Sequence, residues 1–221
     1  MSMKTNKSFL KRIKVTKTGK LMVRKTGQNH FNSKENSSEK GAKGRKVEFH
    51  MSRKELKTLV KQLHLVRASA EKYRDVNAAL VDGFVVAKDV NKGRPGHFFH
   101  RARLNDGTFN PAEPEMLMYQ QDEQGRWQFT GAVVYMLYRR QVGDRHPDGF
   151  VGPLDNWHMH YNTCENVAGG GVAAPDTCKA LGGLTLHNFG WMLHVWVLEE
   201  NPLGVFSFKG PPGKAGAGHH H

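Results

Sequence analysis

Between Lys4 and Lys25, lysine or arginine recurs at intervals of four residues or fewer, and no acidic residue interrupts the series. Phe9, Leu10, Ile13, Val15, Leu21, Met22 and Val23 stand between the cations. Like charges at this density repel, and the apolar content is too thin to close a core, so the segment cannot collapse by itself. It needs a polyanion, and a phosphate backbone is the first candidate.

The rest of the chain is different material. Residues 1–50 hold 14 Lys+Arg against 3 Asp+Glu, and the remaining residues hold 19 against 17, so +11 of the net +13 lies in the first fifty positions. All four tryptophans and all five tyrosines lie in the second part. The expected organisation is a basic arm at 1–46, a linker with an amphipathic helix at 47–83, a near-neutral globular domain at 84–208 and a disordered Gly/Pro-rich tail at 209–221. Two cysteines, Cys164 and Cys178, do not make a disulfide framework; they can pair in an oxidising setting, whereas in a cytosolic one free or metal-adjacent thiols are expected. No apolar run approaches the roughly 20 residues of a membrane span, and no secretory pattern opens the chain, so a cytoplasmic protein without a membrane partner is expected. Nothing in the sequence indicates an oligomeric state.

Within the arm, Thr16-Lys17-Thr18-Gly19-Lys20 reads as a tight turn between two short segments, Arg12–Val15 and Leu21–Arg24, with Gly19 supplying the positive φ. Ser8 to Ile13 has room for one or two helical turns, and Asn32 to Lys46 reads as a flexible polar extension. The ordered pattern K-T-N-K-S-x-x-K-R-x-K-V-T-x-T-G-K-x-x-x-R-x-x-x-x-N-H closely resembles the small bacterial large-subunit ribosomal protein numbered thirty-five, over roughly Met3 to Glu35 with a weaker basic continuation to Lys46. The resemblance implies a short helix–hairpin–helix element embedded in ribosomal RNA of the large subunit. It further implies phosphate contacts from Lys4, Lys7, Lys11, Arg12, Lys14, Lys17, Lys20, Arg24 and Lys25, with Asn29 and His30 touching RNA or bracing the fold. Members of that family end in a further basic helix, whereas here the chain is expected to turn into Val47-Glu48-Phe49 and depart from the pattern. Such an arm folds on binding and reads RNA by shape and backbone.

Ser52-Arg53-Lys54-Glu55 is a capping box ahead of Leu56, Leu59, Val60, Leu63, Val66, Ala70, Tyr73 and Leu80, which predicts an amphipathic helix to Val81, breakable near Ser69 and stopped by Asp82-Gly83. Strands are expected at Phe84–Val90, His97–Leu104, Met116–Gln120, Trp127–Tyr138, Trp157–Cys164 and Trp191–Leu198, with a hairpin at 121–125 and a loop at Gln141–Asn156. The overall fold class is therefore α+β: a small basic helix–hairpin arm, one long helix, and a mostly antiparallel β sandwich or barrel.

Candidate chemistry gathers on the last two strands. His158 and His160, two apart, project from one face of a strand, and His194 sits among large apolar neighbours; His100 ends an aromatic run. Neutral imidazoles converging in an apolar pocket suit one transition-metal ion, zinc, copper or iron. The competing readings are packed, backbone-bonded histidines and metal-free acid–base chemistry. Gly152-x5-His158-x-His160-x4-Glu165 is similar to the first half of the cupin metal motif, which implies Glu165 as a further ligand. The second half of that motif is not visible, so His194 would have to stand in for it. His64 and His187 read as ordinary surface or packing residues. No Gly-rich phosphate loop, nucleophile elbow or paired carboxylates appear, so no enzymatic activity is assigned.

Overall fold

The computed structural model describes residues 14–15, 21–24, 37–38, 41, 46–87, 95–165, 171–172, 175–199 and 201–211. It divides into two compact units, residues 1–54 and 55–221.

In the first unit, β1 (Lys14–Val15), β2 (Leu21–Arg24) and β3 (Lys46–Phe49) form an antiparallel sheet in the order β1-β2-β3. The pairing of β1 with β2 is the hairpin expected on either side of residues 16–20. β3 was not expected, because Asn32 to Lys46 reads as extension and Val47-Glu48-Phe49 as a turn-off. The register sets Lys14 opposite Met22, Met22 opposite Glu48, and Arg24 opposite Lys46. Strand alternation therefore places Lys14, Met22, Arg24, Lys46 and Glu48 at positions of one face, and Val15, Leu21, Val23, Val47 and Phe49 at positions of the other. The expected helical turns at 8–13 and most of the extension lie outside the described residues.

Most of α1 (Arg53–Lys72) belongs to the second unit; it begins directly after Ser52, where the capping box placed its start. Leu59, Val66 and Ala70 are fully buried on one stripe of it. The helix breaks at Tyr73-Arg74-Asp75 rather than near Ser69. Asp75 caps a second helix, α2 (Val76–Val81), by accepting from the Asn77 amide at 2.9 Å. Asp82 and Gly83, the latter at φ +98°, end it as expected.

A seven-stranded antiparallel sheet follows, in the order β4-β5-β6-β7-β10-β8-β9. Its strands are β4 (Phe84–Val86), β5 (Gly96–His100), β6 (Met116–Gln121), β7 (Trp127–Tyr138), β8 (His158–Glu165), β9 (Gly171–Val172) and β10 (Leu184–Trp196). Three short helices interrupt it: α3 (Arg101–Asp106), α4 (Arg139–Val142) and α5 (Pro175–Ala180). The α+β class and the antiparallel character stand. The sandwich or barrel does not: this is one open sheet, whose β4 and β9 ends do not meet. A second sheet is unnecessary because α1 and an aromatic layer cover one face. Phe98 packs on Tyr119 at 4.5 Å, Phe109 on Tyr135 at 4.9 Å and Phe150 on Phe206 at 4.9 Å. The α1 Gln62 side chain is tied to this layer, donating to the Gly149 carbonyl and accepting from the Val151 amide. Arg67 donates to the Val197 carbonyl at 3.3 Å.

The opposite face carries a second apolar cluster of Leu104, Met118, Ala132, Val134, Met136, Met192 and Trp196. The sheet bends around it. The register slips in β6–β7 between Leu117 and Tyr119 and in β10–β8 between Asn188 and Trp191, and such slips coil a sheet locally. Gly190, inside the second slip, lies so close to β7 that a Cβ would collide with the Leu137 carbonyl.

Two expected elements are corrected here. Arg101–Leu104 is helical rather than extended, because the His100 ring accepts from the Arg103 amide and caps α3, which Gly107 ends at φ +70°. β10 begins at Leu184, seven residues before the expected Trp191, because its first residues pair with the end of β8, Leu184 standing opposite Glu165.

Candidate functional site

Of the expected RNA contacts, Lys14 on β1 and Arg24 on β2 fall within described strands, where alternation puts both at positions of the same face as Lys46. Lys4, Lys7, Lys11, Arg12, Lys17, Lys20, Lys25, Asn29 and His30 lie outside the described residues.

In the second unit, two of the histidines expected as metal ligands lie near each other, and a third histidine, His97, lies on the same face. His158 on β8 lies directly opposite Met192 on β10, and His194 is two residues further along β10, so both occupy the face that carries the Met118 cluster. Their ring centroids are 5.3 Å apart. His97 on β5, opposite Met118, shares that face, and its ring lies 6.3 Å from His194 with the planes 18° apart. β5 and β10 are three strand spacings apart, roughly 14 Å on a flat sheet, so their rings approach only because the sheet curls and the side chains lean inward.

The hydrogen bonds fix the ring tautomers. His194 Nδ1 is 3.0 Å from the Phe208 carbonyl, and His158 Nδ1 is 3.0 Å from the Asn156 carbonyl. A carbonyl can only accept, so each Nδ1 carries its proton and donates, which leaves the lone pair of the neutral ring on Nε2. Phe208 also packs against His158, with centroids 5.6 Å apart, and Trp196 Nε1 donates to the Ser207 carbonyl at 2.7 Å. The segment 204–211 thus closes one end of the histidine face. Lys209 belongs to that closure, its carbonyl accepting from Asn201 at 2.7 Å; residues 212–221 of the expected tail lie outside the described residues.

His100 is not part of this group. Its Nε2 donates to the Asp82 carbonyl at 3.0 Å while its Nδ1 accepts from the Arg103 amide at 3.3 Å, so one nitrogen serves the α2–β4 corner and the other caps α3. In H-F-F-H the two histidines are three apart and face opposite sides of a strand, so only one of them shares a face with His194. The sequence carried that parity but not the partner strands that decide between them. By alternation His160 takes the next position on the His158 face of β8; its side chain and that of Glu165 lie outside the described residues. Among the described residues, no group of three or more His, Cys, Asp or Glu could hold a metal ion.

Cys164 in β8 and Cys178 in α5 are joined in a disulfide closing fourteen residues, with Cα atoms 5.5 Å apart. Of the alternatives the sequence left open, the structure shows the paired one. β9 pairs with β8 at Cys164 and β10 begins just beyond α5, so the fold itself brings the two residues together.

Two carboxylates have strongly altered environments. Glu115 is 1% exposed, and burial pushes its carboxyl up to about 8, against the opposing pull of backbone amides that include Met136 N, whose donation Oε2 accepts at 3.1 Å. Burial likewise raises the phenol of Tyr135. Asp82 shows the reverse. Burial alone would raise it, but Lys72, Tyr73 and Arg103 donate to it at 2.8, 2.5 and 2.8 Å, and these bonds hold it well below the usual carboxylate range. Asp82 ties the end of α1 to α3.

The comparisons place the N-terminal part of the chain in a class: the ribosomal proteins. The family model for ribosomal protein L35 matches residues 2–63. The chain is 43% identical over 49 residues to the large ribosomal subunit protein bL35 of Sulfurihydrogenibium sp. (strain YO3AOP1), which spans 22% of this chain and 71% of that protein. Through its N-terminal part, the chain belongs to the ribosomal protein L35 family. No solved structure matches it. The match runs past Lys46 and takes in β3 and α1 as far as Leu63, so the departure expected at Val47 is not where the family ends. The C-terminal sheet lies beyond it.

Proposed function

We propose that the protein is a constituent of the large ribosomal subunit, held to ribosomal RNA by its basic N-terminal segment, and that the sheet unit is an appended domain. The observation that carries this reading is the coincidence of the family match with the cationic series from Lys4 to Lys25. The strand register, which gathers Lys14, Arg24 and Lys46 on one face, supports it. In this reading the remaining cations named above extend that face along the phosphates, Asn29 and His30 touch RNA or brace the arm, and the protein works on cytoplasmic ribosomes. Counterions released from the RNA then offset the ordering of the arm.

The test is sedimentation of the full-length chain from bacterial extracts. At low salt it is expected to co-migrate with large subunits. Affinity for naked ribosomal RNA should fall about a thousandfold or more between about 50 and about 200 mM salt if six or more phosphates are contacted. Combined Lys11→Glu, Arg12→Glu and Lys20→Glu should abolish co-migration while leaving tryptophan fluorescence unchanged, since all four tryptophans lie in the second unit. Co-migration that survives those three reversals would overturn the assignment of the arm as the anchor.

A further inference from the structure

We propose that the face of β8 and of the first half of β10 on the α1 side of the sheet binds single-stranded RNA, with bases stacking on Tyr161 and Trp191. Burial along β10 shows where the cover on this face ends. Val195 and Leu193 are fully buried, Trp191 is half-buried, and Leu184, which register and alternation carry to the same face, is 54% exposed. α1 reaches β10 at its far end, where Arg67 donates to the Val197 carbonyl. Tyr161 on β8 is 56% exposed. Trp191 stands opposite Met159, so Tyr161, two residues further along β8, is the diagonal neighbour of Trp191 on that face. Diagonal neighbours stand about 7–8 Å apart, within reach of aromatic side chains.

Charge selects the occupant. The segment Arg139–His146, which follows β7, holds three arginines and one histidine against a single acid, Asp144. It borders the Trp191 side of the patch: the His146 ring lies 5.7 Å from the Trp191 ring, and Trp191 Nε1 donates to the Gly143 carbonyl at 3.3 Å. Arg139 pairs with Asp144, is half exposed, and lies near enough to Tyr161 for the two to interact electrostatically. Arg140 serves the other face, its guanidinium standing over Tyr138. Aromatic rings with a cationic rim suit a polyanion whose bases stack on the rings while its phosphates meet the arginines. An apolar protein segment would gain from Tyr161 and Leu184 but would leave that rim without counter-charge. Bases paired within a duplex offer no free face, so the surface selects single strands. That the strand is RNA rests on the ribosomal reading; the surface itself lies wholly outside the matched segment.

The experiment uses the full chain carrying Lys11→Glu, Arg12→Glu and Lys20→Glu, so that the arm does not dominate binding. The probe is a labelled single-stranded RNA of about eight nucleotides, built from adenine and cytosine so that it does not pair with itself. At low salt, saturable binding read by anisotropy is expected, with quenching of tryptophan fluorescence. Duplex RNA of the same length should bind about tenfold more weakly. Tyr161→Ala and Trp191→Leu should each weaken single-strand binding about fivefold or more. Leu65→Ala and Val81→Ala, which remove exposed apolar side chains elsewhere, should leave it unchanged. Trp191 is half-buried, so Tyr161→Ala, at an exposed position, keeps the test decisive if Trp191→Leu fails to fold. Ultraviolet crosslinking should place the RNA on peptides holding Tyr161 or Trp191. No saturable binding, equal affinity for the duplex, or affinity unchanged in Tyr161→Ala would overturn the proposal. Because the arm is disabled throughout, that failure is separate from a failure of the arm to anchor the chain, which the sedimentation test reads.

Discussion

Replacing Glu115 with glutamine is expected to stabilise the C-terminal domain, by an amount that grows with pH. Glu115 is 1% exposed and its carboxyl is raised to about 8 by burial, whereas in the unfolded chain it ionises near the ordinary 4.5. Between those two values the folded state keeps the proton and the unfolded state releases it. Stability therefore falls as pH rises, by about 1.4 kcal/mol per pH unit, for a total of about 5 kcal/mol across the window. At pH 7 the loss already amounts to about 3 kcal/mol relative to a neutral side chain of the same shape. Glutamine keeps an acceptor oxygen for the Met136 amide and never ionises, so Glu115→Gln should recover most of that difference. The assay is urea unfolding followed by tryptophan fluorescence at pH 5, 6, 7 and 8. The two proteins should nearly coincide at pH 5 and diverge steadily to pH 8. A constant difference across the series, or a variant that is less stable at pH 8, would show that Glu115 is ionised and held in the fold, and would refute the reasoning.

Two further outcomes follow from the same kind of accounting. Asp82→Asn leaves the Lys72, Tyr73 and Arg103 donors facing an amide instead of a carboxylate. It should lower stability by about 2–3 kcal/mol near neutral pH. Since the folded carboxyl is depressed, that difference should shrink as the wild type is titrated below the ordinary carboxylate range, read as Tm against pH. Opening the Cys164–Cys178 bond, by reductant or by Cys178→Ser, restores the freedom of a fourteen-residue loop and should cost about 3 kcal/mol. A reducing cytoplasm keeps such pairs as thiols, so alkylation of freshly lysed cells should find both cysteines free there. An unchanged unfolding midpoint with and without reductant would refute a stabilising role.

A bridged β8–α5 corner is favoured by oxidising surroundings; in a reducing compartment the domain must hold together on its apolar layers and its Asp82 network without that bridge.

Legibility in the sequence followed the range of the interactions. The cationic series, the hairpin on either side of residues 16–20, the Ser52 capping box, the Asp82-Gly83 stop and the β6–β7 hairpin are local events, written within a few residues of one another, and each was readable. So was the class of protein, because the ordered motif between Lys4 and His30 that resembles the family is contiguous in the chain and needs no tertiary structure to be read. The break at Tyr73 was legible in principle from Asp75 as a cap. Other features depend on strands far apart in the chain. Whether His97 or His100 faces His194 is decided by β6 and β7, which lie between them in the sheet. Cys164 meets Cys178 because β10 doubles back along β8. Glu115 is acidic by identity, but its neutral form at pH 7 comes from the apolar layers closed around it by residues remote in the chain. The sequence by itself determined the arm, its charge and its family. Tertiary structure alone decided which side chains of the sheet share a face, because strand register brings residues nearly one hundred positions apart to within one ring's width.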